Sequence, residues 1–386
     1  MSWSAALGLL ALAIWLYLLI GRGGFWLARE RDDRGRAAEP ARWPSVTAVV
    51  PARNEADVIA RSIASLVQQD YPGSFRIVLV DDGSDDGTAD RAVASARDNG
   101  AIQLDVVRGT ALPAGWTGKM WAQHQGVQHA TADDGPDYLL LTDADIGHAP
   151  DNLRALVSQA ESQRLVLVSL MAELSCRRWA ERFLIPAFVF FFQMLYPFAW
   201  VADRSRALAA AAGGCMLVRR EALERIGGMA SIKSEIIDDC ALARRLKGQG
   251  PIRLSLTRRA VSLRPYKGLS DIGRMISRSA YAQLDYSPPL LAGTVIGMVI
   301  TYLVPALLVL FGSSGIAEAA GIAAWLLMAV SFQPVLRFYR LSPLWGVALP
   351  AIAGAYTVFT VQSALAVWRG HGGLWKGRVQ ARVGVP

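Results

Sequence analysis

An α/β domain with a largely parallel sheet, set between apolar segments long enough to cross a membrane, is the fold this sequence predicts. Three observations predict it. Short apolar, β-rich runs at 46–50, 76–80, 104–107, 138–141 and 165–170 alternate with stretches of helical periodicity such as Ile59, Ile63, Leu66 and Val67. Three of these runs end in polar, acid-bearing elbows, which is where open α/β sheets bind ligands. Residues 3–20 carry no charge, and 290–311, 316–336 and 344–368 contain Glu318 as their one acid.

Residues 3–20 compete with a signal peptide, but no basic segment precedes the run and no clean cleavage site follows it. Arg22, Arg29, Arg31, Arg34 and Arg36 come directly after and mark that end as the positive, inner side of a span. The organisation expected is an N-terminal anchor at 1–21, a basic linker at 22–45, an α/β domain at 46–285, a membrane region at 286–370 and a basic tail at 371–386. Gly21, Gly23 and Gly24 follow the membrane-like segment rather than a strand, so they do not make a Gly-x-Gly-x-x-Gly cofactor loop.

The first strand runs into Pro51, Ala52, Arg53, Asn54 and Glu55. The second breaks into Asp81-Asp82-Gly83-Ser84-Asp85-Asp86-Gly87, a strand, a turn and then a helix from Thr88. Asp85 or Asp86 reads as the cap of that helix, and Asp81 and Asp82 as nucleotide contacts through base or ribose hydrogen bonds. The strand at 138–141 ends in Thr142-Asp143-Ala144-Asp145. If the extended conformation persists to Asp145, a period of two turns both carboxylates the same way, as hard oxygen ligands for Mg²⁺ or Mn²⁺. Alone, such a pair also occurs as a helix-capping turn.

Further along, 183–200 is apolar and aromatic but interrupted by Pro186 and Pro197, and a full crossing there would divide the domain. It reads as a membrane-facing or core helix, with the membrane-facing role expected. Asp238 and Asp239 precede a helix whose Leu242 and Leu246 share a face; the acids suit either a catalytic carboxylate or a favourable helix start. Arg274 and Arg278 stand one helical turn apart, equally suited to clamping a diphosphate and to touching lipid headgroups. Three complete C-terminal spans would deliver Arg369, Lys376, Arg378 and Arg382 to the outer face, against the charge rule. Two spans and a re-entrant segment keep them inside, and Pro350 and Gly354 make the last segment the one expected to bend back.

The quoted elements, Val-Pro-Ala-Arg-Asn-Glu at 50–55, Val-Asp-Asp-Gly-Ser at 80–84 and Asp-x-Asp at 143–145, resemble in this order the inverting family-2 glycosyltransferases. The hopene-associated glycosyltransferases look most similar. The resemblance implies a nucleotide-sugar-binding GT-A-like catalytic domain with N-terminal and C-terminal transmembrane helices. By the same resemblance Pro51, Ala52, Glu55, Asp82 and Asp81 line the nucleoside pocket, Asp143 meets ribose or metal, and Asp145 binds the metal, Mg²⁺ or Mn²⁺. Asp239 matches the family's base, while Asp238 replaces its Glu. Lys119, within Gly118-Lys119-Met120-Trp121-Ala122, occupies a position that faces the nucleotide, and reads equally as a solvated lysine at a helix start. The segment 212–223 resembles the acceptor-side wall. No Gln-x-x-Arg-Trp follows Asp239, so a single transfer is favoured over a processive one.

The expectation is a membrane-bound inverting, metal-dependent glycosyltransferase, taking one sugar from a nucleotide-diphosphate sugar donor to a lipid acceptor in the bilayer, in a hopanoid context. Its expected place is a bacterial inner membrane, multi-pass, with the catalytic domain cytoplasmic. The rival readings are a metal-dependent nucleotidyl or phosphoryl transferase, which needs the Asp pair but no acceptor base, and a catalytically silent membrane scaffold. A net charge of +8 could recruit nucleic acid, yet no such motif accompanies the arginines; lipid headgroups and a diphosphate explain it better. Cys176, Cys215 and Cys240 are odd in number and lack histidines at zinc spacing, so neither a disulfide framework nor a zinc site is expected. His148 is read as a surface-loop histidine.

Overall fold

The structure is a computed structural model and describes residues 2–379 apart from 36, 101–102, 133, 313, 371–373 and 376–377. Arg36 and most of the expected tail at 371–386 therefore lie outside the described residues. Eight strands form one sheet: β1 Val46–Ala52, β2 Phe75–Asp81, β3 Leu104–Arg108, β4 Tyr138–Thr142, β5 Ile146–His148, β6 Leu167–Glu173, β7 Cys215–Arg219 and β8 Ile252–Ser262. Their order is β3-β2-β1-β4-β7-β6-β8-β5. The β3-β2-β1-β4 half is parallel, as the helix alternation predicts, and β7 runs antiparallel to both β4 and β6. The sheet is thus mixed rather than largely parallel across its whole width.

All seven residues of β1 are buried, because the strand is central and both sheet faces are covered. Pro51 stands beyond Val49↔Leu141, the last β1–β4 pair, so its missing N–H costs that ladder nothing. One face packs on the helices Ile59–Val67 and Asn152–Gln163 through Ile63, Leu66, Leu153 and Leu156. The other face, with Val49, Val80, Leu141 and Val218, belongs to a core that continues into Phe190, Tyr302, Phe332 and Ile352. Sheet and apolar helices therefore share one hydrophobic core.

Among the described residues, four helical segments are long and apolar enough to cross a membrane: Trp3–Gly21, Pro288–Phe311, Gly315–Phe338 and Pro343–Trp368. The second contains Pro305, whose absent N–H leaves the Thr301 carbonyl without its helical donor, and the turn at Val299–Leu303 widens to a π-helix. The Trp15 indole N–H donates to that carbonyl at 2.8 Å, satisfying it from the first helix. The stretch expected as a free linker is docked instead: Phe25 is buried against Phe190, and Leu256 of β8 donates its N–H to the Glu30 carbonyl at 2.9 Å.

The fourth segment does not run straight through. Gly315–Phe338 ends at the sheet, where Arg258 of β8 donates to the Phe338 carbonyl. The chain then turns back along the same helix, with Gln333 Nε2 donating to the Pro343 carbonyl at 3.1 Å and Trp325 Nε1 to the Val347 carbonyl at 3.0 Å. Leu349–Trp368 climbs again: Tyr356 donates to the Leu184 carbonyl, Ser277 to the Phe359 carbonyl, and Trp368 stacks edge-on against Tyr281. Both ends of the segment lie on the sheet side of the bundle. The reversal occurs at 339–348, with Pro350 in the first turn of the returning helix, whereas Gly354 lies inside that helix.

The helix expected at 183–200 is Trp179–Leu195, followed by the short helix Phe198–Ala202. It is a core helix rather than a membrane-facing one. Leu184, Ile185, Val189, Phe190 and Phe191 are buried, Phe190 and Phe191 stacking edge-on against Phe332 and Tyr302 of the long apolar helices. An aromatic helix surface is satisfied as well by protein as by lipid.

Candidate active site

A cavity of about 560 Å³ opens at the carboxyl ends of β1 and β4. Pro51, Glu55, Lys119, Asp143, Asp145, Asp238, Asp239 and Arg278 all line it. Ala52, Asp81, Asp82 and Arg274 are not brought to its wall. Ala52 is buried within β1; Asp81 Oδ1 accepts the Ser84 N–H at 3.0 Å within its own turn; Asp82 is buried beside the Arg53 guanidinium at 3.6 Å. Arg274 points outward and pairs with Asp271, since the helix Leu269–Ser277 buries Ile272, Gly273 and Ile276 and leaves this position to solvent. The N-cap of the following helix, Thr88–Asp98, is Gly87 rather than Asp85 or Asp86; Asp86 stands one residue earlier and accepts the Thr88 N–H at 3.0 Å.

The Asp-x-Asp element is not extended as expected. β4 ends at Thr142 and the chain turns at once, the Ile146 N–H reaching the Asp143 carbonyl at 3.2 Å. A turn rather than a strand period thus brings both carboxylates to the cavity. Beneath it, Thr142 donates to the Gly214 carbonyl at 2.8 Å and lies 3.0 Å from His148 Nε2, with Asn152 on the other ring nitrogen. His148 is buried, not a surface-loop residue, and burial depresses its pKa to about 4, so the ring is neutral at pH 7.

Lys119 is placed by the helix Gly118–Ala130, whose N-cap is Thr117. Its Nζ is 2.8 Å from Asp143 Oδ1 and 3.3 Å from Asp238 Oδ2, so it is a bridging cation rather than a solvated lysine. Burial works against its charge, but Asp143 and Asp238 outweigh that and hold its pKa above the ordinary lysine value. Asp238 and Asp239 open the helix Asp238–Lys247. Asp239 Oδ2 accepts the Gly213 N–H at 2.9 Å and Oδ1 its neighbour Cys240 N–H at 2.7 Å. Burial, then repulsion from Asp238, pushes the Asp239 carboxyl up to about 6, with Lys119 opposing.

Reading the sequence alone missed Arg264. It lies just past β8, which brings it to the cavity: its Nε donates to Asp145 Oδ2 at 3.1 Å and its terminal nitrogen pairs with Glu55. The alternation of Ile252, Leu254 and Leu256 was the signal for that strand. The cavity also has an apolar lining, from Met171, Leu174, Phe188, Phe192 and Met275. Among the described residues no group of three or more His, Cys, Asp or Glu could hold a metal ion. Asp143 and Asp145 nevertheless fit Mg²⁺ or Mn²⁺ of the kind that takes one or two carboxylates and completes its shell with substrate phosphates.

Residues 47–227 match the family model Glycosyl transferase family 2. A curated relative, 4,4'-diaponeurosporenoate glycosyltransferase of Staphylococcus aureus, is 34% identical over 120 residues, which take in 31% of this chain and 29% of the relative. The match thus spans under a third of that relative's length. A solved mannosyltransferase of Pyrobaculum calidifontis, in complex with GDP-Man and Mn²⁺, superposes with a TM-score of 0.55 at 20% identity, over 95% of this chain and 98% of that one. That likeness is one of fold. Residues 47–227 are thus similar to glycosyl transferase family 2, and the chain has a GT-A-like α/β fold with long apolar helices at both ends.

Proposed function

We propose that the protein is a membrane-bound inverting glycosyltransferase that moves one sugar from a nucleotide-diphosphate sugar to a hydroxyl of a membrane-dissolved lipid. One observation carries the reading: Asp143, Asp145 and Asp239 share a cavity with Phe188 and Phe192, which come from the helix that packs on the long apolar helices. Inverting transfer is a single displacement and asks for one carboxylate on the acceptor side, which is the role assigned to Asp239. Asp143 and Asp145 would hold Mg²⁺ or Mn²⁺, whose charge offsets that of the leaving diphosphate. Lys119 fixes the spacing between donor-side Asp143 and acceptor-side Asp238. Pro51 and Glu55 border the donor, Arg278 stands at the mouth, and Ala52, Asp81 and Asp82 are assigned to the nucleoside beyond the cavity wall.

The hopanoid context draws no support from the relatives found, one of which is named for a carotenoid acid, so the acceptor is proposed only as an apolar lipid. Membranes holding the protein, incubated with a panel of nucleotide sugars, should yield glycosylated lipid by mass spectrometry, with label from the sugar and not the phosphate. Charged substitutions at Phe188 and Phe192 should lower transfer to lipid more than donor hydrolysis to water. Efficient glycosylation of a water-soluble sugar, untouched by those substitutions, contradicts the lipid acceptor.

The doubling back of the fourth apolar segment supports a topology with three crossings and a re-entrant hairpin, the GT-A-like domain and the tail both on the cytoplasmic side of a bacterial inner membrane. The arginines after the first crossing favour the same side. Cysteines replacing Glu39 and Arg369 should then react with an impermeant maleimide from one face of sealed vesicles, and a cysteine replacing Ser314 from the other. Labelling of position 369 together with 314 would mean a fourth full crossing.

A further inference from the structure

Six carboxylates line the cavity, Glu55, Asp143, Asp145, Glu235, Asp238 and Asp239, against three basic side chains, Lys119, Arg264 and Arg278. A diphosphate is itself anionic and cannot approach such a wall unless cations are available to meet it. Lys119 is committed between Asp143 and Asp238, only 18% exposed. Arg264 is differently placed. Its side chain is 40% exposed, and its guanidinium sits across Asp145 and Glu55, covering a carboxylate that the proposed divalent cation needs.

The backbone on either side is pinned. The Leu263 N–H donates to the Asp145 carbonyl at 2.7 Å, and the Leu263 carbonyl accepts from Arg61 at 3.2 Å. The Tyr266 N–H donates at 2.9 Å to Glu181, a fully buried carboxylate that also accepts the Arg177 and Arg178 N–H groups. Between these anchors Pro265 removes another degree of freedom. What remains free to move is the long side chain, hinged at a fixed point on the cavity rim.

We propose that Arg264 is an exchangeable counter-cation. In the donor-free protein it neutralises Asp145 and Glu55; when the divalent cation and donor bind, it releases Asp145 and turns its guanidinium onto the diphosphate. The planar fork matches phosphate oxygens bidentately, which an ammonium does not. The exchange keeps the site near charge balance in both states, and makes cation and diphosphate binding mutually dependent. This rests on the donor reading given above.

The test uses the full-length protein in detergent micelles, with Mn²⁺ alone and then inorganic pyrophosphate in the presence of Mn²⁺, each followed by electron paramagnetic resonance and calorimetry. Arg264→Gln should bind Mn²⁺ alone roughly three- to tenfold more tightly than wild type, because a competitor for Asp145 is gone, and bind pyrophosphate more weakly by a similar factor. Arg264→Lys should leave Mn²⁺ affinity near wild type and recover only part of the pyrophosphate affinity. Opposite signs in the Gln variant are the signature, since a merely structural role moves both affinities downward together. Unchanged or weaker Mn²⁺ binding in Arg264→Gln, with wild type binding both probes, overturns the exchange and leaves the transferase reading intact. Wild type that binds neither Mn²⁺ nor pyrophosphate overturns both. Should the Gln variant fail to fold, a Lys variant that binds Mn²⁺ more weakly than wild type rejects the proposal.

Discussion

Asp239→Asn is expected to cut sugar transfer by ~10²–10⁴ while leaving donor affinity nearly intact, the scale of a lost general base. Asn is close to isosteric, and its amide oxygen can still accept one of the two N–H groups, from Gly213 or Cys240, that hold the carboxylate. What it cannot do is take the proton of an attacking hydroxyl. The base must be ionised to act, and burial raises its pKa to about 6, so kcat/KM in the wild type should climb as pH rises through about 6 and then level. Asp238→Asn should be milder and should move that limb to lower pH: it removes a repelling charge and frees Lys119 from one of its two partners, and both changes favour ionised Asp239. Pre-steady-state transfer measured beside equilibrium donor binding separates the cases. Equal and large losses of donor affinity in both variants would show that this helix start shapes the nucleotide pocket and does no proton chemistry.

Much of this site was legible in the sequence because its carboxylates follow buried strands. β1, β2 and β4 read as apolar runs since they are covered on both faces, and each run stops where the chain leaves the sheet for solvent, so the functional elbow announces itself as a change of composition. The spacing of Asp143 and Asp145 was right in outcome and wrong in cause: a turn, not an extended strand, sets their directions. Arg264 was not legible as a site residue because nothing local marks it. Its partner Glu55 is 209 residues away, and only the β8 register against β5 brings the two together. Arg274 and Arg278 show the converse: one turn apart in sequence, they part in the structure, Arg278 standing at the helix end where it lines the cavity and Arg274 pairing outward with Asp271. The aromatic helix Trp179–Leu195 was taken for a membrane surface because hydropathy measures aversion to water and is silent on whether lipid or another helix replaces it. The charge rule left open whether the last apolar segment crosses or bends back; in the structure its chain reverses at 339–348, and Gly354, one of the two expected bending points, lies in regular helix.

Asp145→Asn should reduce transfer to background and strongly weaken donor binding in the presence of Mg²⁺ or Mn²⁺, with chelators reproducing the loss in wild type. The described protein offers the cation two carboxylates, Asp143 and Asp145, and no third acidic, histidine or cysteine ligand grouped with them. Removing one therefore halves the protein's charged contribution, and a neutral amide oxygen is a poor substitute on a hard divalent ion. The fold should survive, because the main-chain tie between this turn and the chain after β8, from the Leu263 N–H to the Asp145 carbonyl, is retained by Asn. Loss of the carboxylate also releases Arg264 from one of its two partners, so any residual diphosphate binding in the variant should no longer respond to Mn²⁺. Calorimetry on a folded Asp145→Asn protein decides the matter: donor affinity that is unchanged and still rises with Mn²⁺ would remove Asp145 from the metal site and leave Asp143 and Lys119 as the donor-side pair.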